Sequence, residues 1–294
     1  MKVSSEFEFP ELYPFDFSGQ SDLLIRFGNI PEIPKESTSF NNDFYDIGQD
    51  VFRITIQGVG SYYVKNGNEI IISPQDSADH DNIRIFCLSN AFAAVLHQQK
   101  KIPLHCAAVL INERLMLIFG NSGAGKSSTL GALIQRGYTV FSDDVCVPVD
   151  ISTGQMKLFS SYPLIKFWRN TIENLDMGSK VDRRIRPGIE KYGIYFHKKF
   201  ITEPKSPFLT IILEESTDVI VPDIHKIEGI DAFQRLREHA YRSEYLLHSG
   251  LGREQFNIFT KLAAQTKLYV IRRPKDRNSI QEIVNLTEKI IVSE

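Results

Sequence analysis

The eight residues Gly120-Asn121-Ser122-Gly123-Ala124-Gly125-Lys126-Ser127 constrain this chain more than any other stretch, because they fit the pattern G-x-x-x-x-G-K-[ST]. The apolar run Leu115 to Phe119 precedes them and a helical stretch, Lys126 to Gln135, follows. A strand, a glycine-rich loop and a helix therefore stand in the order that a phosphate-binding loop needs. Glycine permits the backbone angles that turn successive N–H groups onto phosphate oxygens, and the helix start adds partial positive charge at the same place. The expected ligand is a nucleoside triphosphate, held by the backbone from Gly120 to Ser128. Lys126 would reach the β- and γ-phosphates, and Ser127 would hold Mg2+. An ordinary glycine turn is the alternative, and the flanking strand and helix weigh against it.

Asp143 and Asp144 lie 17 and 18 positions after Lys126. That spacing fits one helix and one returning strand, which brings both carboxylates back beside the loop. One can support Mg2+ while the other accepts a proton from an incoming hydroxyl. Two solvated acids at a strand end are the plainer reading. His105 precedes Lys126 by 21 positions, at the start of a hairpin strand whose partner runs into the loop. There it can contact a phosphate oxygen or tune the acids, or it can be structural.

The rest of the chain divides at about residue 103. Before it, VFRITIQ, SYYVK and NEIIIS alternate with period two, and Asn66-Gly67 between the last two is a strong hairpin signal. A short edge strand at Leu23 to Phe27, a strand at Ile83 to Leu88 and a helix from an N-cap at Ser89 to Gln99 complete a β-rich domain, residues 1–102. Residues 103–294 read as an α/β domain with a mixed sheet. Its expected elements are a hairpin turning at Asn112-Glu113, a helix closed by Gly137, a strand at Tyr138 to Phe141 and a hairpin around Ser152-Thr153-Gly154. A helix at Lys166 to Leu175, a strand at Leu209 to Glu215, helices at Ile230 to Tyr241 and Arg253 to Thr266, and a strand at Lys267 to Arg272 follow. Ser279 with Glu282 forms a capping box for a last helix whose Ile280, Ile283, Val284 and Leu286 face inward.

A net charge of −2 gives no general reason to expect nucleic acid or an anionic membrane as partner, and 42 % hydrophobic residues supply a core. Local charge is less even, with seven basic against two acidic side chains from Lys180 to Lys199. Within that segment Arg183, Arg184 and Arg186, followed by Pro187-Gly188, form either a mobile loop that grips the triphosphate or the acceptor, or a solvated basic face. Arg272 and Arg273 are weaker candidates of the same kind. Cys87, Cys106 and Cys146 are odd in number and sit in apolar runs, as reduced core thiols do. No apolar h-region follows the basic start and no run reaches the length of a membrane span, so a cytoplasmic location is expected.

The stretch from Leu104 to Val145, LHCAAVLINERLMLIFGNSGAGKSSTLGALIQRGYTVFSDDV, resembles the catalytic core of HPr kinase/phosphorylase. That core combines a histidine before the hairpin, a P-loop, an Arg-Gly pair closing the helix and an Asp-Asp pair. His105, Gly120 to Ser127, Arg136-Gly137 and Asp143-Asp144 match these features in order and spacing. The resemblance implies an ATP- and Mg2+-dependent kinase acting on a serine, with Asp144 as the better candidate for the base, Asp143 supporting metal or base, and His105 catalytic. The two aspartates can exchange roles. It also implies a homo-oligomer. The glycine-rich glutamate-arginine signature of that family is missing, which argues against reverse phosphorolysis. The layout as a whole, with YPLIKFW and RPGIEKYG behind the core, is similar to HPr-kinase-like proteins of peptide-modification systems. Lasso peptide kinases, which phosphorylate a serine of a precursor peptide, are among these. A kinase for a small hydroxylated metabolite and a nucleotide-dependent switch are the remaining readings.

Overall fold

An alternating run, a tight Asn-Gly turn and a second alternating run dictate the heart of the first unit. In the computed structural model, which describes residues 1–150 (main chain only at Asp150), 154–178, 181–186 and 188–294, strands Gly60–Lys65 and Glu69–Pro74 pair antiparallel. Asn66, Gly67 and Asn68 join them, the first two at φ 52° and 63°. Two positive φ values in succession are what a tight hairpin of this twist requires, and Asn-Gly tolerates them. Val51–Ile56, Tyr45–Ile47 and Phe40–Asn41 continue the sheet antiparallel on one side. On the other side Leu23–Phe27 pairs parallel with Glu69–Pro74, and Val3–Ser5 pairs parallel beyond it, so Leu23–Phe27 lies inside a seven-stranded sheet and not at its edge.

The segment Ile83 to Leu88, expected as a strand, is helical. Helix His80–Phe86 runs through a π-turn at Cys87–Ala91 into helix Phe92–Gln98, and the N-cap is Asp79, whose carboxylate accepts from the amides of Asp81 and Asn82, in place of Ser89. Ile83, Cys87, Ala91 and Val95 recur every four residues and are all at most 3 % exposed, which is the period of a helix face packed on the sheet. Tyr245, from the later helix Ser243–Ser249, completes this core: its ring lies 4.7 Å from that of Phe52 and its hydroxyl donates to Asn90 Oδ1 at 2.8 Å. The first compact unit accordingly comprises Met1–Pro103, Ile185–Ile189 and Tyr241–Gln255.

The second unit comprises Leu104–Arg184, Glu190–Ala240 and Phe256–Glu294. Its six-stranded mixed sheet runs in the order Thr139–Ser142, Ala107–Ile111, Arg114–Gly120, Pro207–Ser216, Lys267–Pro274 and Asp223–Ile227. Arg114–Gly120, Pro207–Ser216 and Lys267–Pro274 are mutually parallel, and the other three strands each pair antiparallel with their neighbours. Leu115, Leu117 and Phe119 on one face and Met116 and Ile118 on the other are all 0 % exposed. Each such side chain contributes about 1.5–3 kcal/mol on burial, which explains why this strand reads as an unbroken apolar run. Asn112 and Glu113, at φ 45° and 64°, form the expected tight turn, and Gly137, at φ 95°, follows the helix Lys126–Gln135 as its left-handed cap.

Several expected elements differ. Lys166 to Leu175 is not one helix: Leu164–Trp168 is a strand paired antiparallel with Lys191–Tyr195, and only Arg169–Asn174 is helical. Pro163 ahead of Leu-Ile-Lys-Phe-Trp favours the extended chain. The helix expected to reach Tyr241 spans Gly229–Arg237. The strand Asp223–Ile227 and helix Ser243–Ser249 gave no periodic signal. Helix Ile280–Ser293 starts after Ser279 without the capping box: the Ser279 hydroxyl is buried with no partner among the described residues, Asn278 Oδ1 accepts from the Ile280 amide, and Glu282 pairs with Arg277. Gly154 is described, whereas Ser152 and Thr153 of the expected turn, together with Lys180 and Pro187, lie outside the described residues. The three cysteines are free and buried, and no helix among the described residues is long and apolar enough to cross a membrane.

Candidate active site

The phosphate loop closes against its neighbouring strand. Gly120 has φ 143°, and a Cβ there would stand 2.6 Å from the Leu213 carbonyl oxygen and 2.9 Å from Ala124 Cβ, so no other residue fits. Gly125, at φ 103°, turns the chain into helix Lys126–Gln135. The Lys126 ammonium donates to the carbonyls of Gly120 at 2.6 Å and Asn121 at 3.3 Å and is 8 % exposed. Burial lowers its pKa, and the carboxylates of Asp144 and Asp143 oppose that shift. From the strand Lys267–Pro274, Arg273 donates through Nε to the Ala124 carbonyl at 2.9 Å and through a terminal nitrogen to that of Gly123 at 2.8 Å, and it pairs with Glu215.

The aspartate pair follows the strand Thr139–Ser142, where it is held on three sides. Ser127 Oγ donates to Asp143 Oδ1 at 3.1 Å, and the Lys166 amide donates to Asp143 Oδ2 at 2.8 Å. Asp144, at φ 73°, adopts the left-handed conformation and turns its carboxylate to the Lys166 ammonium. Lys166 also donates to the Tyr162 hydroxyl at 3.3 Å. His105 Nδ1 lies 3.1 Å from the Asp144 carbonyl oxygen and 3.5 Å from its Oδ1.

These contacts push the two acids apart. Burial, then the charge of Asp144, raises the pKa of Asp143, which is 3 % exposed. Burial also acts to raise Asp144, but the Lys166 ammonium, which donates to it, and the charge of Lys191 outweigh it and hold its carboxyl well below the usual range. The Asp144 side chain keeps 23 % of its surface, so of the two it is the one open to a reactant. Burial, opposed by Asp144, brings His105 down to about 4, so the ring is neutral at pH 7 and Nδ1–H donates to the Asp144 carbonyl. Burial followed by the charge of Lys166 lowers Lys191, whose ammonium also lies 5.5 Å from the centre of the Trp168 ring.

The fold thus brings together His105, the loop Gly120 to Ser127, Asp143 and Asp144. The Ser128 hydroxyl lies 2.9 Å from that of Thr171. The basic segment is not a free loop. Arg183–Arg184 is a short strand paired with Tyr192 and Gly193, Arg183 lies over the Tyr195 ring, and Arg184 pairs with Glu190. Arg186 belongs to the first unit, over Phe86. Sequence reasoning missed Lys166 and Lys191 as partners of the acids. The available signal was a single lysine inside the apolar stretch YPLIKFW, since a charge there must find a counter-charge.

Loop amides, Lys126 and the hard oxygens of Ser127 and Asp143 fit a triphosphate with its magnesium. Among the described residues no group of three or more His, Cys, Asp or Glu side chains could hold a metal alone, so the fit is to a cation carried largely by phosphate oxygens. Beside the loop a cavity of about 500 Å3 opens between Asn121 and Ser122, the strand end Leu213 to Glu215, and Asp231 to His239. It lies at the carboxyl ends of parallel strands, where open α/β sheets bind ligands.

Strand, glycine loop and helix make the second unit a P-loop α/β domain. No family model and no curated protein matches the chain. Among solved structures it is similar to the HPr(Ser) kinase/phosphatase from Coxiella burnetii at 14 % identity and a TM-score of 0.34, over 65 % of this chain and 91 % of that one.

Proposed function

We propose that this chain is a kinase that moves the γ-phosphoryl group of ATP, bound with Mg2+, onto a serine hydroxyl of a peptide or protein. The observation that supports it best is the continuous path from Ser127 through Asp143 and Lys166 to Asp144, which sets an ionised, partly open carboxylate next to the phosphate loop. The bound nucleotide supplies the transferable group. Lys126 and the loop amides hold its phosphates, and Ser127 with Asp143 holds the metal side. Asp144 orients the acceptor hydroxyl and takes its proton at the carboxylate. A loose phosphoryl-transfer transition state asks little of its base, so a carboxylate with a low pKa suffices. Neutral His105 fixes the Asp144 main chain, and Lys166 keeps the carboxylate ionised.

Mass spectrometry of candidate acceptors after incubation with ATP and Mg2+ tests this. A precursor peptide of the lasso-peptide kind, ending in serine, and HPr are the first two to try. A gain of one phosphate on the peptide supports a peptide-tailoring kinase, and a gain on HPr alone supports a regulatory protein kinase. Hydrolysis of ATP with no phosphorylated product on either of these or on small hydroxylated metabolites refutes the kinase reading and favours a switch.

A further inference from the structure

The cavity beside the phosphate loop has a charge that a nucleotide would avoid. Glu214, Glu215, Asp231 and Glu238 line it, with Arg235 as the lining cation. Arg235 pairs with Glu214 and Asp231, and Arg273 pairs with Glu215. Even with Arg273 counted, two negative charges are left in excess, and Glu238 has no ion pair among the described residues. A wall of this sign repels a triphosphate and attracts a cation.

Its position selects the acceptor's end of the reaction. Lys126, the residue that meets the terminal phosphates in such loops, rests on the carbonyls of Gly120 and Asn121, and Asn121 lines the cavity. The cavity therefore adjoins the terminal-phosphate end of the loop. A second observation points to a ligand. His239 lines the cavity, is 6 % exposed and packs its ring 5.5 Å from that of Phe119, yet among the described residues neither of its ring nitrogens has a hydrogen-bond partner. With no protein partner in reach among these residues, its polar atoms are left to whatever the cavity holds.

We infer that this cavity seats a cationic group of the acceptor, an alkylammonium or guanidinium carried near the hydroxyl to be phosphorylated, with Glu238 and Glu214 as its counter-charges and His239 as a neutral hydrogen-bond partner. This rests on the kinase reading for the word acceptor, whereas the cation site itself stands on the cavity alone. A basic side chain of a peptide and the amine of a small amino alcohol present the same chemistry.

Two measurements on the full-length chain test it. In the first, serine peptides that differ at one position in carrying lysine, norleucine or glutamate, together with a set of small amino alcohols, are offered with ATP and Mg2+. Lysine peptides should be phosphorylated about tenfold faster than norleucine peptides, the effect of one charge-assisted hydrogen bond. Glu238→Lys should abolish that preference with nucleotide affinity unchanged. Transfer to amino alcohols instead assigns the cation to a small acceptor. In the second, the His239 ring signal of histidine-labelled protein, assigned with His239→Gln, is followed during titration with butylammonium, butanol or butyrate. It should move with butylammonium alone. Rates indifferent to charge, a preference that survives Glu238→Lys, or a His239 signal blind to butylammonium each overturn the inference. Absence of all transfer alongside a His239 response refutes the kinase reading and leaves the cation site in place.

Discussion

Ser127 and Asp143, sixteen residues apart, are joined by a hydrogen bond of 3.1 Å from the serine hydroxyl to the carboxylate. The first turn of the phosphate-loop helix is thereby tied to the end of the strand Thr139–Ser142. If this pair receives the metal, Ser127→Ala should raise the Mg2+ concentration for half-maximal turnover about tenfold or more, the scale of a lost charge-assisted contact. A magnesium titration of phosphate transfer decides it, and an unchanged midpoint removes Ser127 from the metal site.

Asp144→Asn keeps the size of the side chain and removes its charge. Transfer should fall by about 10²–10⁴-fold, the usual worth of a positioned base, with nucleotide affinity nearly unchanged. Lys126→Ala should weaken both. Fluorescent-nucleotide binding measured beside single-turnover transfer separates them, and an equal loss of binding in the two variants refutes Asp144 as base.

Lys166 is the cation that does most to lower Asp144. Without it the Asp144 pKa would rise, so the acidic limb of the transfer-against-pH profile should move to higher pH in Lys166→Met. Lys166→Arg should restore the wild-type limb in part. A limb that stays put in both variants, with activity merely reduced, would assign Lys166 a structural part only.

Three histidines should make the fold acid-labile. Burial takes His97, His105 and His239 from 6.5 to about 4. Between those values the unfolded chain binds protons that the folded chain does not, so stability rises with pH across that window and is lost as pH falls from about 6.5 towards 4. Calorimetry in buffers of different ionisation enthalpy at pH 5.5 should find net proton uptake on unfolding, and His97→Gln, His105→Gln or His239→Gln should each reduce it.

Arg273 ties two loop carbonyls to the strand Lys267–Pro274. Arg273→Ala should raise the nucleotide dissociation constant about tenfold by loosening the loop, in keeping with the loss of hydrogen bonds from a charged donor. Hydrogen exchange of the Gly123 to Lys126 amides should rise at the same time, and unchanged exchange would refute the tethering role.

The phosphate loop was legible because its chemistry is local: glycine where φ is positive, lysine next to the last glycine, an apolar strand before and a helix after. Asp143 and Asp144 were legible because one helix and one strand fix the distance back. Lys166 was not, since its partner lies twenty-two residues away, across a pairing with Lys191–Tyr195 that no local pattern announces. Ile83 to Cys87 misled for a different reason. Ile83, Ile85 and Cys87 alternate as in a strand, while the burial of Ile83, Cys87, Ala91 and Val95 follows a helix, and the longer repeat appears only when the window is extended. His239 gave no signal, because it follows a helix on one side of a cavity whose other walls, the phosphate loop and the end of one strand, lie far off in sequence.

Tyr245 comes from far along the chain and yet completes the core around Phe52 and Asn90. The segment before Pro103 is therefore not a transferable module. A chimera that exchanges only residues 1–103 with a relative would combine a foreign sheet with a native Tyr241–Gln255, and the exchange would have to carry that later segment with it. A crossover at residue 103 alone would therefore divide the first unit between two parents.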